Sequence, residues 1–517
     1  MSNRLLADQQ ITDMLEGVTR NVSGMSRGEH WDNYARIYMR GSNIPAFRNG
    51  MNVSMPFGPL TEDMSMVERI EVIKGPAGFM ASSGEPGGMY NVVTKKPTGV
   101  NKGEVSLTLG SYDLYRATLD LDGKLNKSGT LLGRINVMGQ NKNSFRDLDY
   151  NNRYSIAPVL SYKLDDRTTL TAEYNFQYVK AQMIGANYQF SRNGWADPKI
   201  PRGQTTSAPS LEPTKTNDHN LFLNLNHQIN KDWSVTAQVL FEDYKQRGAS
   251  AWPVVPPDAA GFMQRGISIW DTDARNKLGQ IFINGEVKTG PVVHRLLGGI
   301  DVGDKEQYAD YGAYANVDTS ASFNIYAPVY TATANPPAFD HSLPVSERTG
   351  DPNRYVDQNF QSYKSVFVQD ELRFWQEKIR LTLAGRYTYS VDRNVNPYAN
   401  TAIESKKFSP RVGLSVSVDR NTAVYGLFDQ SFIPTPGYDH QKERPFIPVT
   451  GNNYEVGIKR DWFDGRWRST VAAYTILRNN VATADPQNPT QWQVQLGQTK
   501  TRGVEVDITG QLARGWT

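Results

Sequence analysis

Residues 170–179 read LTAEYNFQYV, and their side chains alternate between apolar and polar from Leu170 to Tyr178. Successive side chains of a β-strand point to opposite faces, so Tyr174 and Phe176 would share one face and Glu173 and Asn175 the other. This period of two predicts a strand that separates an apolar environment from a polar one.

The same alternation recurs along most of the chain from Glu104 onward. Examples are YSIAPVLSYKL at 154–164, HNLFLNLNHQ at 219–228 and GVEVDITG at 503–510. The pattern predicts roughly sixteen strands of about 10–14 residues, which is longer than the strands of most soluble sheets.

Short and long connections alternate between these strands. The short ones include NKSG, DDR and FDG, whereas long ones are predicted at 181–217, 246–273, 303–361 and 392–406. A barrel that crosses a membrane has short turns on one side and longer loops on the other. The fold is therefore predicted to be mainly β, as a transmembrane antiparallel β-barrel with apolar faces toward lipid. The alternative is a large soluble β-protein, such as a propeller or paired sandwiches. A propeller should repeat a motif every ~40–50 residues, and none is found.

The composition excludes several other classes of protein. The 517 residues include 11% aromatics, which is too many for a disordered chain, and they contain no apolar run long enough for a transmembrane helix. The 56 basic and 53 acidic residues leave no basic excess for a nucleic-acid partner. There is no cysteine, and the six histidines show no metal-ligand spacing.

The first 100 residues follow a different pattern. A short helix is predicted at 8–18, and strands are predicted at 35–41, 66–76 and 89–97. Such an α+β unit cannot lie in the bilayer, because its backbone polar groups would lack partners there. It could fill the lumen of a large barrel. The predicted domains are accordingly a partial plug at 1–100 and a barrel at 101–517.

Four segments carry a resemblance to a known family. They are IYMRGSNIPAFRNGMNV at 37–53, VERIEVIKGPAGFMASSGEPGGMYNVVTKKP at 67–97, FSPRVGLSVSVDRNTAVYGLFDQSFIPTPG at 408–437 and TRGVEVDITGQLARGW at 501–516. The first two resemble the plug of TonB-dependent outer-membrane receptors, and the last two resemble barrel segments of their ferric-siderophore branch. The resemblance implies a barrel of about 22 strands in the outer membrane of a Gram-negative bacterium. It also implies import of a ferric siderophore, energised through TonB.

The chain departs from the family pattern at both ends. It shows no signal peptide, no TonB-contacting box and no closing strands, so it is expected to be a fragment with about 16 of about 22 strands. Two alternatives remain open. One is uptake of another scarce solute, such as cobalamin, haem or an oligosaccharide, and the other is a passive porin, although porins lack a plug.

The resemblance also implies where a ligand would bind on the plug. The predicted contacts at the plug apex are Arg40, Ser42, Asn43, Phe47, Met55, Phe57, Phe79 and Met80. Arg40 matches an arginine that contacts ligand in some relatives, but it could instead pair with a barrel carboxylate. The Phe and Met side chains could equally be packing residues, because both types are ordinary core fillers.

Aromatic residues in the long loops form a second group of candidates. They are Tyr188, Trp195, Trp252, Trp270, Tyr308, Tyr311, Tyr314 and Tyr326. They could capture a ligand, or they could belong to an aromatic girdle at the membrane interface. The length of the loop at 303–361 favours capture, because unusually long loops are often functional.

No enzyme is predicted, since the chain has no Gly-x-Ser-x-Gly nucleophile motif. The iron of a siderophore arrives already coordinated, so no metal site and no resident cofactor are expected. The expected partners are the ferric siderophore, TonB with its inner-membrane complex, and outer-membrane lipid. The expected oligomeric state is a monomer.

Overall fold

A computed structural model gives the fold of the chain. It describes residues 1–28, 34, 36–75, 79–81, 83–194, 196–331, 336–351, 354–488 and 492–511. None of the helices within these ranges has both the length and the apolar character needed to span a membrane.

Short elements make up the N-terminal plug. They are α1 Asn3–Asp8, α2 Met14–Asn21, β1 Met25–Arg27, β2 Ile37–Met39, β3 Ser42–Asn43, β4 Ala46–Arg48, β5 Met51–Asn52, the 3₁₀ helix Met64–Met66, β6 Val67–Lys74 and β7 Gly88–Thr94. Strands β4 to β7 form a mixed sheet in the order β5-β4-β7-β6, in which β4 and β7 run parallel.

The single helix predicted at 8–18 is wrong. Two helices are present, and Gln10 between them has a φ of +53°, which no helix accommodates. Ser2 and Asp13 each accept a hydrogen bond from a first-turn backbone N–H, so each helix has its own N-cap. Asp13 lies inside the predicted helix, but in the structure it caps the start of α2. The spacing of apolar residues across this point therefore did not reveal the break between the two helices.

The remaining strands form the wall and the loops. They are β8 Lys102–Gly110, β9 Leu114–Lys124, β10 Leu131–Asn141, β11 Asn151–Lys163, β12 Thr168–Ala181, β13 Thr214–Gln228, β14 Trp233–Arg247, β15 Ala249–Val255, β16 Phe262–Ile269, β17 Asp271–Thr289, β18 Val292–Asp310, β19 Tyr314–Asn316, β20 Phe323–Asn324, β21 Val356–Phe374, β22 Ile379–Asn396, β23 Ala399–Ser417, β24 Thr422–Ile433, β25 Tyr438–Asp439, β26 Arg444–Pro445, β27 Val449–Trp462, β28 Trp467–Ala484 and β29 Gln493–Gly510. A second 3₁₀ helix covers Val345–Arg348.

Within the described residues, sixteen of these strands form one antiparallel sheet. Each wall strand pairs with the next wall strand along the chain, and β8 and β29 are the two edges of the sheet. This confirms the predicted strand count and the predicted antiparallel order. Strands β15, β16, β19 and β20 form a separate small sheet in the long loops.

The wall is apolar outside and polar inside. In β13, Leu221 is 43% exposed, whereas its neighbour Asn220 is 1% exposed. In β12, Tyr174 is exposed, whereas Glu173 and Asn175 are buried against the interior. An exposed apolar face around a polar interior is the reverse of a soluble sheet and matches a wall that stands in lipid. The outer and inner faces predicted for the strand at residues 170–179 are confirmed.

The predicted long loop at 392–406 is wrong. Strands β22 and β23 continue through this region and meet at a turn of residues 397–398. The hairpin segments VDRNVN and ANTAIES contain few large apolar residues, so the alternation that marks the other strands is weak there. A strand that extends beyond the lipid no longer needs apolar outward side chains, which explains why periodicity failed there.

The plug lies inside the curve of the wall. Asp63 of the plug accepts hydrogen bonds of 2.7 Å from Arg116 in β9, and Lys74 of the plug lies 2.9 Å from Asp507 in β29. The plug therefore contacts wall strands near both edges of the sheet. Its apolar core is continuous with a patch on the wall formed by Phe222, Leu240, Leu278 and Tyr363.

Candidate ligand-binding site

A cavity of about 350 Å³ lies between the plug and the wall, at the long-loop end of the strands. The plug lines it with residues 43–46, 54–56 and 83–85. The wall contributes residues from β17, β18, β21 and β22, and residues 433–436 complete one side. The cavity is a concave site between two parts of the fold, as small-molecule sites often are.

Short hydrogen bonds hold the plug segments that line the cavity. The Ser54 hydroxyl accepts a 2.7 Å hydrogen bond from the Ala46 backbone N–H, which fixes two lining segments to each other. The Gly84 N–H donates to the Phe432 carbonyl at 3.0 Å, which fixes the third segment to β24. A Cβ at Gly84 would lie 3.3 Å from Pro45, so glycine permits this close approach.

Few formal charges face the cavity from the wall. Lys305 and Asp392 are buried and point inward, whereas the adjacent Glu306 and Arg393 point outward because side chains alternate along a strand. The Lys305 ammonium donates to the Ser54 carbonyl at 3.0 Å. Asp392 accepts hydrogen bonds from neighbouring Gln and Ser side chains of the wall.

One carboxylate faces the cavity from the plug. Burial raises the pKa of Glu85, and the Arg478 guanidinium, 3.0 Å away, opposes that rise. Arg478 belongs to β28, so this ion pair also joins the plug apex to the wall.

Two of the predicted plug contacts line the cavity. Asn43 is exposed at the apex, and Met55 is half-buried beside it. Phe57 lies next to the cavity, where its backbone N–H donates to the Gln307 side chain at 3.3 Å. Its ring packs edge-on against Trp270 in the loops, with ring centroids 5.3 Å apart.

Arg40 does not face the cavity, contrary to its prediction as a ligand contact. Its side chain is 1% exposed and forms ion pairs with Glu455 at 2.7 Å and with Glu505 at 3.0 Å. The guanidinium also lies 4.0 Å from the centre of the Tyr474 ring. All of its strong interactions are with the wall, as in the alternative that the sequence left open.

The other predicted plug contacts lie outside the cavity lining. Phe47 is buried in the plug against Ala81 and Met89. Phe79 is buried edge-on against the wall residue Phe367, with centroids 5.9 Å apart. Ser42 is buried and hydrogen-bonds Glu85. Met80 is exposed, but it does not contribute to the lining.

Four of the predicted loop aromatics form contacts above the plug. Trp270 stacks on Tyr311 with centroids 5.3 Å apart, and Tyr311 packs against Tyr355 at 4.7 Å. Tyr188 packs against Trp252 at 6.1 Å. Together with Phe57, these rings join the plug to the loops at 182–213, 248–270 and 311–355.

The remaining loop aromatics lie elsewhere. Tyr308 points outward from β18 and packs edge-on against Phe360, which favours the girdle alternative over capture. Tyr314 is exposed on the small loop sheet. The Tyr326 hydroxyl donates to Asp197 at 2.9 Å. Trp195 lies outside the described residues.

A charged cluster fastens the loop of residues 311–355 to the wall. The two ring nitrogens of His341 contact Asp271 at 2.8 Å and Glu212 at 3.1 Å. In the same loop, the buried Arg348 pairs with Asp271 at 2.7 Å and with Asp310 at 3.0 Å. Burial would lower the pKa of His341, but hydrogen bonds to the two carboxylates outweigh it and raise the pKa to about 9.

We expect this loop to loosen in alkaline solution. His341 gains partners on folding, so its contribution is complete below its ordinary pKa of 6.5 and is lost as the pH rises through about 9. A spin label on Thr349→Cys, in a chain with no other cysteine, should become more mobile between about pH 6 and about pH 10. His341→Gln should abolish this pH response. Equal mobility at both pH values in the His341 chain would contradict the prediction.

Sequence reasoning missed the wall residues of the cavity, which include Lys305, Gln307, Asp392, Asn276 and Gln361. Alternation did indicate that polar residues of these strands face the lumen. It did not indicate which of them lie level with the plug apex, because that depends on strand tilt and register. Among the described residues, no group of His, Asp and Glu is arranged to hold a metal ion.

Two family models match the chain. Residues 162–517 match the model described as TonB dependent receptor-like, beta-barrel, and residues 1–89 match the TonB-dependent Receptor Plug Domain. The first match falls on most of the wall and the second on most of the plug, and residues 90–161 lie between them.

Curated relatives agree with these matches. The chain is 29% identical to the metal-pseudopaline receptor of Pseudomonas aeruginosa over 87% of this chain and 62% of the relative. It is 26% identical to the ferrichrome outer membrane transporter/phage receptor of Escherichia coli K12 over 96% of this chain and 68% of the relative. The chain thus spans about 62% of the length of the pseudopaline receptor.

Solved structures share the fold. The ferripyoverdine receptor of the Pseudomonas aeruginosa outer membrane matches with a TM-score of 0.81 at 23% identity, covering 99% of this chain and 68% of that one. The ferric-catecholate import receptor of Escherichia coli K12 in its closed form matches with a TM-score of 0.84 at 18% identity, covering 99% of this chain and 77% of that one.

Proposed function

The chain belongs to the TonB-dependent receptor family of the Gram-negative outer membrane, and we propose that it captures and imports a ferric siderophore. The observation that carries the proposal is the cavity of about 350 Å³ between the plug apex and the wall. It opens toward the long loops, where a ligand would arrive. The ferrichrome and ferripyoverdine receptors are relatives whose names point to the same kind of ligand.

The plug supports active import over passive flow. Ion pairs of Arg40, Lys74 and Glu85 with the wall hold the plug in the lumen, in the way of a solute of siderophore size. Import then requires work on the plug, and we propose that TonB supplies it from the inner membrane. Iron would arrive chelated, without a resident cofactor, and the receptor would act as a monomer in outer-membrane lipid.

Uptake of radioiron tests the proposal. The receptor is expressed from its gene in iron-starved cells that lack their own siderophore receptors. We expect at least one ferric siderophore to bind with or without a proton uncoupler, because binding needs only the plug apex and the loops. Entry should occur only without the uncoupler, because a plugged lumen cannot pass a large solute by diffusion.

Two outcomes would contradict the proposal. Entry that persists with the uncoupler would indicate passive flow, as in a porin. Failure to bind any iron chelate would favour another solute such as cobalamin or haem.

A further inference from the structure

Amides are the largest group of polar side chains around the cavity. Six of them contribute to the lining: Asn43, Asn52, Asn276, Gln307, Asn359 and Gln361. An amide side chain offers both donors and acceptors and carries no charge. A lining of this kind can hydrogen-bond a polar ligand from several sides without supplying a counter-charge.

Positive charges do not outnumber negative charges among the side chains that face the cavity. One cation, Lys305, stands against two carboxylates, Asp392 and Glu85. Glu85 is paired with Arg478 at 3.0 Å, whereas Asp392 is held by neutral Gln and Ser side chains. Lys305 is also committed to the plug through its hydrogen bond to the Ser54 carbonyl. The next cation along the wall, Arg386, is paired with Asp301 and is not available to a ligand.

A strongly anionic ligand is therefore disfavoured in this cavity. Its charge would lie beside Asp392 and Glu85 in surroundings that screen charge far less than water does. Like charges placed together at an interface cost several kcal/mol and exclude wrong partners. A neutral ligand avoids this cost and can still hydrogen-bond lining amides such as the exposed Asn43.

The cavity also offers little to a flat aromatic ligand. Of the described lining residues only Phe360 is aromatic, and its ring packs outward against Tyr308. The aromatic rings of the loops mostly contact one another above the plug. Ligand rings that reach the cavity would find no partner for stacking.

We infer that the cavity selects a ferric chelate that is neutral overall and presents amide and hydroxamate oxygens, and that it discriminates against an anionic tris-catecholate chelate. This inference rests on the proposed function, because it specifies the ligand class of the same site. The amides of the lining match the periphery of the neutral chelate, and the Asp392 carboxylate rejects the anionic one.

Binding to the purified receptor tests the inference through quenching of tryptophan fluorescence. The probes are ferrichrome as the neutral trihydroxamate, ferric enterobactin as the anionic tris-catecholate, and cyanocobalamin as a neutral solute without iron. We expect ferrichrome to bind at least about tenfold more tightly than ferric enterobactin.

Two variants separate charge from hydrogen bonding. Asp392→Asn removes a carboxylate from the lining and should reduce the preference for ferrichrome by about threefold or more, through tighter binding of ferric enterobactin. Asp304→Asn removes the same charge from the outward face of β18 and should leave the preference unchanged. Asn43→Leu removes an exposed amide from the apex and should weaken ferrichrome binding about threefold or more.

The outcomes distinguish this inference from the proposed function. Tighter binding of ferric enterobactin than of ferrichrome overturns the inference but leaves iron-chelate import standing. An equal change of preference in Asp392→Asn and Asp304→Asn also overturns the inference, because the charge at the cavity would then have no special role. Binding of cyanocobalamin with neither iron chelate bound overturns both.

Discussion

Arg48→Met should be among the most destabilising substitutions in the protein, with a loss of about 3–5 kcal/mol in the free energy of unfolding. Arg48 is fully buried between plug and wall. Its Nε lies 2.8 Å from Glu62 of the plug, and another nitrogen lies 3.6 Å from Asp218 and 3.8 Å from Glu242 of the wall. Methionine fills a similar volume but leaves three buried carboxylates without their counter-charge.

Urea titration of the receptor refolded into lipid vesicles measures this loss. Arg4→Met is the matched control, because Arg4 is exposed and its pair with Asp8 at 4.0 Å should contribute less than about 1 kcal/mol. Adding Glu62→Gln to Arg48→Met should restore part of the stability by removing one unpaired carboxylate. If Arg48→Met and Arg4→Met unfold at the same urea concentration, Arg48 is not the counter-charge of this cluster.

The Arg48 cluster shows where sequence reasoning reaches its limit. Alternation along β13 and β14 predicts that polar side chains face the lumen, and Asp218 and Glu242 do so. Nothing in the local pattern indicates which plug residue meets them, because the contact joins segments far apart in the chain. The face on which a strand side chain lies follows from the alternation of neighbouring residues. Its ion-pair partner on the plug depends instead on where the whole plug lies against the wall.

The candidate site was likewise only partly predictable from the sequence. The position of the cavity, where the plug apex meets the long loops, follows from the order of the domains. Its residues do not, because residue type cannot separate a ring that faces a ligand from one that fills a gap. Phe47 and Phe79 were predicted contacts, yet both are buried as packing residues. Lys305 and Asp392 were missed, because they resemble every other polar lumen residue.

The buried charges give the plug two properties at once. Arg40, Arg48 and Glu85 each pair with wall residues, so the plug is oriented by specific contacts rather than by apolar packing alone. Buried ion pairs cost much desolvation and return little net stability, but breaking one of them is expensive. Moving a plug held in this way therefore costs the free energy of separating these charges.

We expect a second large loss of stability from a charge placed on the lipid-facing side of a wall strand. Leu221→Arg, at the middle of β13, should lower the free energy of unfolding in lipid vesicles by about 2–4 kcal/mol, because it places a charge on the lipid face. Asn224→Arg, three residues along the same strand, points instead into a lumen cavity of about 390 Å³ on the other side of the wall. Its guanidinium can remain hydrated there, so the loss of unfolding free energy should be much smaller.

The same ranking should appear in urea titrations whether or not ligand is bound, because neither residue lies in the candidate binding cavity. A greater loss from Asn224→Arg would mean that the assignment of lipid and lumen faces along β13 is reversed, and the inward direction of Asn220 and Asp218 would have to be reconsidered with it.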